Sequence, residues 1–251
     1  GLARSGKASD DQKAQSLTFK RTGTKDLVTN NIAWNAWDHS GQIFDEIKSP
    51  AIDGYTPDQT SIKDVQVDAD GLKLTEKTVV YNADSQKLMV NFIDDVTGKT
   101  LETINKVGQS DESANYDTKS DISKYLAQHY DLVSDDTNSS NLVFDHDDNT
   151  DQVYNVHLTH HTHQINDQTT KSEVIHYVYA DGLARTGHAA DDYHASDLVF
   201  TRDGYHDEVT NEDHWNAWTP AQQEFASVQS PEIDGYSADQ TEVPVIKVNS
   251  D

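Results

Sequence analysis

Gly1-Leu2-Ala3-Arg4 recurs as Gly182-Leu183-Ala184-Arg185, and from these tetrapeptides residues 1–70 lie on residues 182–251 without a gap, at a constant offset of 181. Roughly half of the aligned positions are identical, which makes the chain a tandem array rather than a coincidence of composition. The identities fall on residues with structural meaning. Trp34-Asn35-Ala36-Trp37 matches Trp215-Asn216-Ala217-Trp218, Ser49-Pro50 matches Ser230-Pro231, and Ile52-Asp53-Gly54-Tyr55 matches Ile233-Asp234-Gly235-Tyr236. Aromatics, turn glycines and prolines persist while their neighbours drift, which is what a shared fold retains. Arrays of this kind gain function by multiplying weak contacts.

The composition bounds what those modules can be. At 251 residues there is room for two or three domains. Hydrophobic residues make up 34 %, and 44 acidic against 19 basic side chains leave a formal charge of -25, close to the regime in which chains stay disordered. Local alternation nevertheless argues for small, well-solvated β-rich modules rather than one large core. The charge speaks against nucleic acid, whose phosphates require clustered Lys and Arg, and against an anionic membrane surface. Zero cysteines exclude disulfides, thiol catalysis and Cys-ligated zinc. No apolar run is long enough to span a bilayer, and no secretory leader opens the chain.

Three segments follow: residues 1–84 as the first copy of the repeated module, 85–165 as an unrelated middle domain, and 166–251 as the second copy. Each copy is short of one strand, at opposite ends. Glu173–Tyr179 alternates as a strand whose counterpart would precede Gly1, and Lys77–Tyr81 reads as a strand whose counterpart would follow Asp251. An unpaired edge invites strand addition, so the first copy is expected to be less well ordered than the second or to be completed by another chain.

In the middle domain, strands are expected at Leu88–Ile93, near Thr100–Val107, at Tyr130–Val133, at Leu142–Phe144 and from Gln152 to His160, with Asp95–Lys99 turning the first into the second. A helix is expected over about Asp121–Gln128, Ser120 being its N-cap and Ile122, Tyr125 and Leu126 its buried face. A hairpin, a crossover helix and a closing strand give a mixed sheet of the β-grasp kind. In the repeated module, strands are expected at Val174–Tyr179, Leu198–Arg202 and near Glu208–Thr210, with a turn at Asp203-Gly204. A helical turn is expected from Thr219-Pro220, with Phe225 and Val228 inward. Gln164–Lys171, polar and without apolar periodicity, reads as the hinge. The fold class is α+β: an elongated tandem array of small β-rich, β-grasp-like (ubiquitin-like) modules.

Ordered along the chain, the short motifs resemble the two-domain mucus-binding (Mub-type, MucBP) repeats of lactic-acid-bacterial surface adhesins. The middle segment is similar to the family's mucin-binding domain through Asp94–Lys99, His129-Tyr130-Asp131-Leu132-Val133 and Tyr154-Asn155-Val156-His157-Leu158. The flanking copies are similar to its partner module through Val178–Gly182, Phe200-Thr201-Arg202, the Trp215/Trp218 pair and Ser230-Pro231 before Gly235-Tyr236. The resemblance implies an extracellular rod on the bacterial cell surface, anchored to the wall by parts of a longer protein. Its partner would be mucin glycoproteins; the alternatives are immunoglobulin or another host protein bound through an exposed strand edge of the middle domain, and a passive spacer stalk. It supplies no catalytic residues, and the chain is expected to be a monomer capable of head-to-tail contacts.

Candidate sites carry two readings each. Trp34, Trp37, Trp215 and Trp218 are either platforms for sugar rings or inter-strand core, and Tyr55 and Tyr236 divide the same way. His157, His161 and His163 share one face of an extended strand, which suits a transition metal or a proton sensor, or else a solvated strand end. Asp145, Asp147, Asn149 and Asp151 open like an oxygen-ligand Ca2+ loop, but Thr150 and Val156 stand where an EF-hand needs Gly and Glu. No G-x-S-x-G, phosphate-binding loop or dinucleotide fingerprint is present, and no cofactor is required. Mucin is itself anionic, so attachment is expected to strengthen as pH falls and the twelve histidines gain charge.

Overall fold

The computed structural model describes residues 6–71, 75–180 and 185–251. The Gly1–Arg4 tetrapeptide and most of its repeat, residues 182–184, therefore lie outside the described residues. Two compact units emerge, one of residues 1–124 with 132–159, the other of residues 125–131 with 160–251.

The first copy is a chain of short pairs. Strand β1 (Gly23–Lys25) runs antiparallel to β2 (Ile32–Trp34), with Gly23 opposite Trp34. A Cβ on Gly23 would sit 2.8 Å from the Ala33 carbonyl, so only glycine lets the two backbones approach this closely. The Asp26 carboxylate closes the hairpin by accepting the Val28 and Thr29 amides at 2.8 and 3.2 Å. There follow β3 (Gly41–Ile43), β4 (Ile47–Lys48), β5 (Tyr55–Pro57), β6 (Ser61–Ile62), β7 (Gln66–Asp68) and β8 (Tyr81–Ala83). They pair antiparallel as β3 with β7, β4 with β6 and β5 with β8. The strand expected over Lys77–Tyr81 is corrected: only Tyr81 belongs to β8. Asp58 explains the shift, because its amide and carboxylate take the carbonyl and amide of Val80, at 2.8 and 2.9 Å, before the ladder begins.

The middle segment holds β9 (Ser85–Asp94), β10 (Lys99–Gln109), α1 (Lys119–Leu126), β11 (Tyr130–Asp135) and β12 (Gln152–His160). Its sheet runs β10-β9-β12-β11, with β9 and β12 parallel and Phe92 opposite Val156. Leu88, Val90 and Phe92 alternate inward on β9 and meet the level of Val156 and Leu158 on β12, so the two central strands carry the core.

Three local expectations fail here. The helix begins at Lys119, so Ser120 lies inside it; the Asp117 carboxylate accepts the Lys119 amide at 3.0 Å and the Thr118 carbonyl accepts the Ile122 amide at 2.8 Å. Ile122 and Tyr125 are buried as expected, but Leu126 is 47 % exposed, because the helix ends there and turns back through the left-handed His129. Leu142–Phe144 forms a single bridge, Ser113 to Val143, rather than a strand. Phe144 instead drops onto Gly108, where a Cβ would lie 2.2 Å from its ring.

In the second copy, β13 (Thr162–Lys171) precedes β14 (Val174–Ile175), β15 (Tyr193–His194), β16 (Leu198–Asp207) and β17 (Glu212–Trp215). It closes with β18 (Gln223–Phe225), β19 (Val228–Gln229), β20 (Glu242–Val243) and β21 (Ile246–Val248). Pairing of β18 with β21 and of β19 with β20 repeats the register of the first copy: Gln223 faces Val248 as Gln42 faces Val67.

The second copy overturns most of the local reading. The expected hinge is β13, a ten-residue strand paired antiparallel to β16 over its whole length. A ladder with a cross-strand Asp167–Arg202 pair holds without an apolar period. Val174–Tyr179 supplies only two strand residues. Asp203-Gly204 lies inside β16, where a Gly204 Cβ would come 2.3 Å from the His214 carbonyl, so that glycine serves close approach rather than a turn. The turn comes later, at Glu208–Asn211, where a strand was expected; Asp207 accepts the Val209 and Thr210 amides at 2.9 and 3.1 Å. No helical turn follows Thr219-Pro220, whose peptide bond is cis, although Phe225 is buried as expected.

Candidate functional site

The duplicated tryptophans converge on arginine. On β16, Arg202 lies between Trp215 at 4.4 Å and Trp218 at 4.5 Å from its guanidinium carbon to the ring centroids. In the first copy Arg21 lies between Trp34 at 4.6 Å and Trp37 at 4.4 Å. The guanidinium is planar and weakly hydrated, and the ring faces are electron-rich, so the sandwich is favourable on both sides. Trp34 is 53 % exposed, Trp37, Trp215 and Trp218 are half-buried, and each ring has a cation over it. The signal was present in sequence: Arg21 and Arg202 are identical positions of the duplication, two residues beyond Phe19 and Phe200.

The two sandwiches differ in one partner. Arg202 donates from Nε and Nη2 to the Asp167 carboxylate of β13, at 3.0 and 2.7 Å. The first copy shows instead a shallow cleft lined by Phe19, Arg21, Thr22, Trp34 and Trp37.

The tyrosines diverge between copies. Tyr55 is 9 % exposed and its hydroxyl donates to Asp111 at 2.6 Å, while His146 contacts the other Asp111 oxygen at 2.6 Å. That network takes Tyr55 off the surface. Tyr236 stays at the surface with its ring 4.9 Å from that of Tyr179.

The histidines are dispersed rather than gathered. His157 meets Asp95 at 2.7 Å, His161 meets Asp131 at 2.9 Å and His163 meets Glu208 at 2.8 Å, each a separate ion pair when the imidazole is charged. Among the described residues no group of three or more His, Asp or Glu is placed to hold a metal ion. In the acidic loop, the Asp145 and Asp147 carboxylates accept the Asp147 and Asn149 amides at 3.2 and 2.9 Å, and Asp151 is exposed. The Asn149 amide, above all, holds the Asp147 carboxyl below the ordinary carboxylate range.

His160, on the opposite face of β12, was not singled out as a site and is the most tightly held of all. Its Nδ1 lies 2.6 Å from the Asp207 carboxylate, with side-chain exposures of 3 % and 8 %. The Tyr130 ring meets it edge-on at 5.4 Å, and Tyr125 meets Tyr130 likewise at 5.8 Å. Burial alone would push the Asp207 carboxyl up; the His160 bond and the Thr210 and Val209 amides outweigh it and bring it down to about 2.

Comparison with known proteins places the chain in a family. Residues 2–85 and 162–251 match the Muc B2-like domain family, and residues 86–160 match the family described as mucin binding domain. Among solved structures, the chain is similar to Mub-RV, at 28 % identity and a TM-score of 0.59, over 66 % of this chain and 92 % of that one. It also matches a type 2 repeat of the mucus binding protein of Lactobacillus reuteri, at 32 % identity and a TM-score of 0.45, over 66 % and 91 %. A third match is a mucin-binding domain from Streptococcus pneumoniae, at 24 % identity and a TM-score of 0.30, over 36 % and 84 %. No curated protein sequence matches. The chain thus belongs to the mucus-binding repeat family, with two Muc B2-like domains flanking one mucin-binding domain.

Proposed function

We propose that the chain is a non-enzymatic adhesin segment that binds the glycans of mucus glycoproteins, at a bacterial surface, through weak sites multiplied by repetition. The observation that carries this reading is the family match of residues 86–160 to a mucin binding domain, set between two copies of its partner module. The β10-β9-β12-β11 order, with its parallel central pair and its helix between the two hairpin-like halves, favours a β-grasp-like middle domain. Repetition of one module at a fixed offset favours avidity, since linking sites raises retention without any new contact. Exposed aromatic edges such as Trp34 and Tyr236 suit the C–H faces of pyranoses.

Retention on immobilised mucin before and after periodate oxidation tests this. Periodate cleaves vicinal diols of the glycans and spares the polypeptide, so the expected result is retention lost on oxidation. Undiminished retention on oxidised mucin, or none on native mucin, refutes glycan recognition.

A further inference from the structure

We propose that His163 and His206 form a two-histidine transition-metal site on one face of the β13-β16-β17 sheet, with Glu208 and Asp213 as positioning residues and the remaining coordination positions left to water.

The ladder puts the pair together. His163 on β13 lies directly opposite His206 on β16, and His206 lies directly opposite Asp213 on β17. Directly opposed residues share one face of a sheet, so a single row carries both imidazoles and a carboxylate. The two rings stand with their centroids 5.2 Å apart and their planes inclined by 36°. Two imidazoles on one tetrahedral ion, with metal–nitrogen distances of about 2.0–2.1 Å, place their centroids roughly 5 Å apart, so the strands already hold the rings at the spacing a shared ion requires.

Hydrogen bonding fixes which nitrogens are available. His163 Nδ1 meets the Glu208 carboxylate at 2.8 Å, and His206 Nδ1 meets the Asp213 carboxylate at 2.7 Å. An ionised carboxylate only accepts, so each Nδ1 carries the proton and the neutral ring keeps its lone pair on Nε2. Among the described residues neither Nε2 has a hydrogen-bond partner. A carboxylate behind the ring is the arrangement that orients a metal-ligating histidine and strengthens it as a donor. Solvent reaches both rings, His163 being exposed and His206 partly so.

The duplication shows that the fold itself does not require these side chains. The equivalents of His206, Glu208 and Asp213 in the first copy are Lys25, Leu27 and Ile32, and Lys25 pairs with Ile32 in the register of His206 with Asp213. The same hairpin therefore forms without imidazole or carboxylate at those positions. Donor chemistry narrows the ion: a pair of imidazole nitrogens selects Cu2+, Ni2+ or Zn2+, with Cu2+ held most tightly, over Ca2+ or Mg2+, which take oxygen ligands.

Titration of Zn2+ and of Cu2+ into the full chain tests this, at pH 8, where imidazole is neutral, and with excess Ca2+ to occupy surface carboxylates. Calorimetry should show one site tighter than any other, with Cu2+ bound more strongly than Zn2+. In imidazole 1H–15N spectra of the unaltered chain, one equivalent of Zn2+ should shift Nε2 of His163 and His206 and of no other histidine. His163→Ala and His206→Ala should each weaken binding by roughly tenfold or more, and His157→Ala should leave it unchanged. Asp213→Ala should let the His206 ring populate its other tautomer in the metal-free spectra and weaken binding roughly tenfold. Absence of a stoichiometric site in the presence of Ca2+ overturns the proposal. So do Nε2 resonances of His163 and His206 that Zn2+ leaves unmoved, or an equal loss of affinity from His157→Ala.

Discussion

Replacing Asp207 by asparagine separates the charge of the buried pair from its shape. The amide oxygen can still accept the Val209 and Thr210 amides, so the turn survives, but the carboxylate that His160 meets at 2.6 Å is gone. A carboxyl whose pKa falls from 3.8 in the unfolded chain to about 2 in the fold contributes roughly 2 kcal/mol at neutral pH. That is the range measured for hydrogen bonds to charged partners in buried positions. Spread over a module of this size it should lower the midpoint of thermal unfolding by roughly 10 °C.

The sign of the pH dependence follows from the depressed value. Because folding lowers the Asp207 pKa, the contribution is present in full above pH 3.8 and fades as pH drops toward 2. The gap between native chain and Asp207→Asn should therefore be wide at pH 7, narrow below pH 4 and nearly closed at pH 2. Hydrogen exchange of the β16 and β17 amides, followed with pH, isolates the second copy. The equivalent change in the first copy, Asp26→Asn, should do little, since Asp26 is exposed and accepts only from its own hairpin turn. Equal stability of the Asp207→Asn chain at pH 7, or a gap that stays constant down to pH 2, refutes the reasoning.

Phe200→Ala should cost about 3–5 kcal/mol because it empties a fully buried site, and Phe19→Ala markedly less because that ring is only half-buried; chemical denaturation of the two variants compares them directly. Gly108→Ala drives a methyl into Phe144 and should destabilise the middle domain by about 1–3 kcal/mol, with Gly98→Ala, whose Cβ meets nothing, separating steric overlap from the strain of a left-handed φ. Mucin retention should rise from pH 7.4 to pH 5 at matched salt, as acidification reduces a formal charge of -25; equal retention at the two pH values counts against electrostatic repulsion as the limit on attachment.

What could be read from sequence was set by how local its physical cause is. The strands β9 and β12 alternate buried apolar residues with more exposed ones against one core face, so their positions were legible, as was the helix between them. Gln164–Lys171 was misread because its partners lie 27 to 41 residues away on β16, and a strand held by its backbone ladder and one Asp–Arg pair carries no apolar period. Asp203-Gly204 was misread for the complementary reason. The same dipeptide that favours a turn also allows two backbones to come within contact distance, and only the partner strand decides which use prevails.

The tryptophans carry the same lesson into the candidate site. Their retention between copies announced a constraint, but not its chemistry, because sequence places Arg202 more than ten residues from Trp215 and Asp167 a further thirty-five away. Once β13, β16 and β17 lie side by side, the three become one stack in which the carboxylate fixes the guanidinium and the guanidinium spaces the rings.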